Sequence, residues 1–185
     1  MNAVDWRIKM KGERMMVGQS KSQNGQVHNE TSGSKDNEKD NEKRGISEEE
    51  QASYRQAIPK FMLDTPYIKG MGVLMERYVP DEATMRLPFR DDLTNDGTYY
   101  HGGVVAAVMD TAGAAAVWSN HDFNKGTRAS TVAMSIQYVG ACKKSDLICH
   151  AKCIKRGKEL SFSEITATDV DGNVVAHAVQ TYRIV

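Results

Sequence analysis

The chain has 185 residues, with 24 Lys and Arg against 24 Asp and Glu, a size for one domain or one domain with a tail. A formal charge of zero and 7% aromatic residues argue against a nucleic-acid binder held by a basic excess or a base-stacking platform. Cys142, Cys149 and Cys153 cannot all pair within the chain, and no secretory apolar segment opens it, so a reducing, cytoplasmic setting is expected.

Residues 1–45 hold nine Lys and Arg and seven Asp and Glu, with few large apolar side chains after Val17. From residue 19 onward this segment cannot bury enough apolar surface to offset its ordering entropy, which predicts disorder. Its first residues carry Trp6, Ile8, Met10, Met15 and Met16 among basic ones. Asp5 and Glu13 count against a transit peptide there, so a flexible extension is expected. Residues 46–185 are long enough to form one folded domain around a single core.

In that domain Ser47 and Glu50 have capping-box spacing, which predicts a short helix over 47–58, ending before Pro59. Strands are expected at 71–78 and 83–88. Residues 91–100 read as loop, rich in Asp, Asn, Thr and Gly. The segment 102–118 is dominated by Ala and is apolar on nearly all sides, which predicts a buried helix. It is too short for a membrane span and carries Asp110 at its centre.

After Trp118 the pattern turns to period two. Residues 131–139, 147–155, 160–169 and 174–184 read as four strands. Leu147, Cys149, Ala151 and Cys153 share one face of the second, and Phe162, Glu164, Thr166 and Thr168 share one face of the third. Arg156-Gly157-Lys158 and Asp171-Gly172-Asn173 are tight turns between them. Helix, two strands, buried helix, four strands predicts an α+β protein with an antiparallel sheet wrapped around one long helix.

At the centre of this order Asn95 is followed by His101-Gly102-Gly103 and then Asp110, seven residues after the second Gly. This pattern resembles the hotdog-fold acyl-CoA thioesterases of the phenylacetic-acid-degradation type. The run Thr131-Val132-Ala133-Met134-Ser135-Ile136-Gln137-Tyr138 resembles that family's strand after the helix, and residues 178–185 its last strand. The resemblance covers about residues 60–185 and implies a hotdog fold and hydrolysis of an acyl-CoA thioester.

The residue types fit that chemistry. A thioester hydrolase needs a base or nucleophile, donors for a developing oxyanion, and a group that orients water. Asp110 is the sole charged residue between His101 and His121, and a buried carboxylate is costly unless it is paired or used. A structural Asp, capped or ion-paired, is the plainer alternative. Gly102 and Gly103 allow close approach to backbone N–H groups at a helix N-terminus, where negative charge is favoured. The resemblance implies that the Gly102 N–H polarises the thioester carbonyl. It also implies that Asp110, from a facing subunit, activates water or attacks directly. His101 is a candidate base or a structural helix-entry group. Asn95 is a candidate for holding water or the thioester, or a turn-former. Thr131 is a candidate for orienting water.

The phosphates of CoA need basic contacts. Lys143 and Lys144, and the turn Arg156-Gly157-Lys158, look like the places where relatives bind the nucleotide; solvated turn charges are the alternative. Met71, Met75, Val105, Met109 and Trp118 are candidates for lining an acyl tunnel. Strand alternation separates His150 from Cys149 and Cys153, so no metal site is expected, and no cofactor. Neither a P-loop nor a Gly-x-Ser-x-Gly elbow occurs.

Two other readings stay open: a dehydratase or isomerase of the same fold, needing a paired His and carboxylate, and a non-catalytic acyl-CoA-binding protein. Gly102 and Asp110 are eight residues apart on one helix, about 12 Å along its axis. One chain's pair cannot readily grip one carbonyl, and an open sheet edge invites pairing. A homodimer or homotetramer with shared sites is therefore expected.

Overall fold

The structure, a computed structural model, describes residues 45–185. Residues 1–44, nearly all of the proposed extension, lie outside the described residues, and with them its disorder and targeting readings.

The first helix, α1, spans Glu48–Leu63. Ser47 caps it as expected: its hydroxyl accepts from Glu50 N, and the Glu50 carboxylate accepts from Ser47 N. Glu48, Glu49 and Glu50 place negative charge at the positive end of the helix dipole. The helix does not stop before Pro59 but runs five residues past the expected end at 58. Proline sacrifices one backbone bond, but Ile58 and Phe61, on either side, are both sealed in the core. Burial outweighs the local penalty.

A second helix, α2, spans Pro66–Met71, with Pro66 in its first turn and Gly72 at φ 78° ending it. It replaces the start of the expected strand 71–78, which is delayed to β1, Leu74–Val79. β2 follows at Glu82–Leu87. The Ala-rich segment forms α3, Gly102–Trp118, as predicted. Then come β3 (Ala129–Tyr138), β4 (Leu147–Arg156), β5 (Leu160–Thr168) and β6 (Val174–Ile184).

The six strands form one antiparallel sheet in the order β1-β2-β4-β5-β6-β3. α3 packs across one face of this sheet. The predicted α+β architecture, an antiparallel sheet around one long helix, is the one observed. Leu147, Cys149, Ala151 and Cys153 of β4 all face the core. In β5 the face carrying Phe162, Glu164, Thr166 and Thr168 is the outer one, and Ser161, Ser163, Ile165 and Ala167 point inward. The C-terminal half of α3, from Ala112 to Trp118, is buried on every side. Its N-terminal half keeps Val104, Ala107, Asp110 and Thr111 partly exposed on one face.

Two buried polar residues pin the frame. Gln51 of α1, 2% exposed, donates to Asp122 Oδ1 (2.8 Å) and accepts from Phe123 N (2.9 Å). That docks α1 onto the connection between α3 and β3, where Phe123 packs edge-on against Tyr54. At the same, C-terminal end of α3, Trp118 Nε1 donates to the Tyr182 hydroxyl of β6 (3.2 Å). Burial pushes the Tyr182 phenol up to about 12; the Trp118 hydrogen bond opposes this and the Asp110 charge adds to it.

Gln51→Leu keeps the volume but strands the Phe123 N–H. It is expected to cost about 1–3 kcal/mol, seen as a lower urea midpoint at unchanged m-value; an unchanged midpoint contradicts the role given to Gln51. Alkali should also weaken the fold. Tyr182 titrates near its ordinary 10.0 when unfolded and at about 12 when folded. Its contribution is full below the first value and is lost as pH rises through the second. The urea midpoint should fall toward about pH 12, and less steeply in Tyr182→Phe.

Candidate active site

The loop before α3 is folded back on itself. Thr94 and Asp96 bond the backbone of residues 91–99, and Gly97 takes φ 78°. His101 N donates to Leu93 O (3.1 Å), and Asn95 N donates to Tyr99 O (3.0 Å). The effect is to hold Asn95 in an exposed loop beside the entrance of α3. Its side chain makes no hydrogen bond to His101, Gly102 or Asp110.

His101 is the N-cap of α3: its Nδ1 accepts from Gly103 N (2.9 Å). That bond occupies the nitrogen a base would use and leaves Nε2 to donate. Gly103 is explained by the same cap, because a Cβ there would press against the His101 ring at 3.0 Å. Gly102 is not explained this way. A Cβ on it would make ordinary contact with Tyr138 at 3.7 Å. Its carbonyl accepts from the Tyr138 hydroxyl (3.0 Å), while its N–H has no acceptor among the described residues. An open N–H at a helix N-terminus is a ready site for a partial negative charge.

Two turns along α3, Asp110 lies on the partly exposed face. Thr131 of β3 donates to its Oδ1 at 2.6 Å, as does Gln180 of β6, also at 2.6 Å. Gln180 donates as well to the Asp110 backbone carbonyl (2.9 Å) and accepts from Ser163 of β5 (3.0 Å). Oδ2 has no hydrogen-bond partner among the described residues. Among the described residues no cation pairs with the carboxylate; neutral donors on neighbouring strands hold it.

The basic candidates divide between the two ends of the helix. Lys143 and Lys144 stand near its N-terminal end: Lys144 N donates to Thr98 O (2.9 Å), and Tyr99 bridges to Lys143, whose ammonium lies over the Tyr99 ring. Arg156 lies at the C-terminal end and is committed within the chain, to Asp81 (2.8 Å) and to Ala116 O (3.3 Å). Gly157 closes the β4–β5 turn by donating to Leu160 O, and Lys158 is exposed. Met71, Val105, Met109 and Trp118 are buried in the core and Met75 is partly buried. His150 bonds Thr84 on the outer face, away from Cys149 and Cys153. Among the described residues no cluster of three His, Cys, Asp or Glu side chains is placed to hold a metal.

The sequence pattern singled out Asp110 and Thr131, which the structure joins, but missed Gln180, Ser163 and Gly113. The available signals were a Gln on the inward face of β6 between Ala178 and Tyr182, and a glycine inside an Ala-rich helix.

Residues 97–176 match the sequence model of the thioesterase superfamily. A protein of Halobacterium salinarum whose name proposes an esterase is 29% identical over 112 residues, 59% of this chain and 74% of its own length. One of Saccharolobus solfataricus, named in the same way, is 28% identical over 114 residues, 62% of this chain and 74% of its own. Among solved structures, the Escherichia coli PaaI protein from the phenylacetic acid degradation operon superposes with a TM-score of 0.63 at 19% identity, covering 72% of this chain and 96% of that one. A hypothetical thioesterase protein of Streptococcus pneumoniae with coenzyme A gives 0.60 at 21% identity, covering 70% and 97%. The structural likenesses carry the fold, a hotdog, and the sequence match ties residues 97–176 to the thioesterase superfamily.

Proposed function

We propose that the chain is an acyl-CoA thioesterase, cleaving an acyl-CoA to a carboxylic acid and free CoA. The observation that carries this is Asp110. One of its oxygens is fixed by two donors and the other has no partner among the described residues, on the helix whose first N–H, that of Gly102, is left open. The thioester carbonyl would accept from the Gly102 N–H, where the helix dipole favours the oxyanion. Asp110 Oδ2 would take a proton from water as the water oxygen bonds the carbonyl carbon, or would itself attack to give an acyl anhydride that water then cleaves to the acid and the restored carboxylate. The C–S bond then breaks and the sulfur leaves as thiolate, to be protonated.

Because Gly102 and Asp110 stand about 12 Å apart along one helix, each complete site draws Gly102 from one copy and Asp110 from a second. β3 supports that pairing. It is an edge strand, and Val132, Tyr138 and Val139 on it or at its end are more than half exposed. A homodimer is the minimal assembly, and a homotetramer contains it. Lys143 and Lys144, near the Gly102 end, are the better placed cations for CoA phosphates. Gly157 and Lys158 stand at the other end and contribute only through a second copy. Arg156 has its charge met by Asp81. His101, holding the helix through Nδ1, has no carboxylate partner among the described residues of its own copy, where a dehydratase would need one. Asn95 and Gly103 shape the entrance. The free, buried thiols of Cys142, Cys149 and Cys153 fit the cytoplasmic setting expected from sequence. Among the described residues no helix is long and apolar enough to cross a membrane.

Asp110→Asn tests the reading. Asn keeps an oxygen for Thr131 and Gln180 but replaces the free one by NH2. Turnover should fall by about 10² to 10⁴, with KM little changed and with melting temperature and oligomer size retained. A folded, assembled variant with wild-type turnover removes Asp110 from the mechanism. A variant that loses fold and activity together makes Asp110 structural.

A further inference from the structure

We infer that Gln180 is the positioning residue of this site: from β6 it sets the plane of the Asp110 carboxylate and so decides which oxygen meets the substrate. The inference rests on the thioesterase reading for its consequence, but on geometry for its content.

Gln180 is 2% exposed, where an amide is tolerated only if its polar atoms are bonded. All are in use. Nε2 donates to both the backbone carbonyl and Oδ1 of Asp110, at 2.9 and 2.6 Å, with Thr131 Oγ1 at 3.5 Å. Oε1 accepts from Ser163 Oγ at 3.0 Å, and Ser163 is itself fully buried. The partners fix the amide's orientation, because Asp110 presents acceptors alone on this side and Ser163 can donate. Rotating the side chain would strand a buried group at each end.

Grasping a residue's carbonyl and its carboxylate from one nitrogen does more than neutralise charge. It relates the side chain to its own backbone, so χ rotation of Asp110 is held. Thr131, bonding Oδ1 alone, cannot do this. With Oδ1 saturated from two strands, Oδ2 is the oxygen left for water or the acyl carbon, and it is held in place before substrate arrives.

A second observation points to the same role. Gly113 lies inside α3, where glycine is a poor helix former. A Cβ at 113 would overlap Gln180 Oε1 and stand 3.0 Å from Ser163 Oγ. The helix therefore gives up a side chain where the amide crosses it. Ser163 on β5 stands opposite Gln180 on β6, and Thr131 on β3 stands opposite Tyr182, two residues further along β6. Three adjacent strands are thus tied to one turn of the helix through a single amide.

The test uses full-length protein and the fastest substrate in a panel of acetyl-, hexanoyl-, palmitoyl- and benzoyl-CoA. Gln180→Met keeps the volume and removes the donor; kcat should fall about 10- to 100-fold with KM within about threefold. In an Asp110→Asn background the same change should cost no more than about twofold, because it acts through the group already lost. Gly113→Ala, which displaces the amide with Gln180 intact, should lower kcat in the same direction and serves if Gln180→Met does not fold. Crystal structures of the folded variants should show the Asp110 carboxylate turned away from Thr131. Wild-type kcat in both variants, an additive loss in the Asp110→Asn background, or an unmoved carboxylate overturns the inference. If the wild-type protein hydrolyses none of the panel, the thioesterase reading fails, and the crystallographic comparison alone decides the positioning.

Discussion

A carboxylate on an apolar helix needs donors, and much of this structure is arranged to supply them. α3 is dominated by Ala, Val and Gly, and Asp110 is its one charged side chain. Leaving that charge unsolvated would cost several kcal/mol. An arginine partner would meet the charge but would also occupy both oxygens. Here Thr131 and Gln180 share one oxygen and leave the other free. Ser163 and Gly113 are then needed to hold and admit the glutamine. Four positions far apart in sequence are accounted for by one ionisable group.

On the proposed mechanism the same helix makes one copy insufficient. Its N-terminus carries the open Gly102 N–H and its middle carries the carboxylate, and a rigid helix cannot bring them together. The side of the helix that is not closed by the sheet is flanked by β3, an edge strand with exposed apolar side chains. Edge strands of this kind are costly to leave bare. Covering the edge with another copy and completing the site are, in this account, one event.

What could be read from the sequence follows the range of the forces involved. α3 and β6 were placed at their observed ends, because an Ala-rich run and an alternating run after Asp171-Gly172 are local signals, and Gly172 indeed takes φ 83°. The passage of α1 through Pro59 was not legible, since it depends on Phe61 meeting a core built from later strands. α2 was given no reading, although Pro66 suits the first turn of a helix. In the site, Asp110 stood out as a lone charge. Gln180, 70 positions away, did not, because an amide in a strand carries no pattern of its own. Arg156 looked available to phosphate until Asp81, 75 positions earlier, was found against it.

The most direct measurement is release of free thiol from the purified full-length protein over a range of acyl-CoAs, from short aliphatic to long-chain and aromatic. The account predicts that at least one is cleaved to CoA and the free acid about 10⁶-fold or more above the spontaneous rate. Saturable binding of acyl-CoAs with no thiol released from any of them would contradict it.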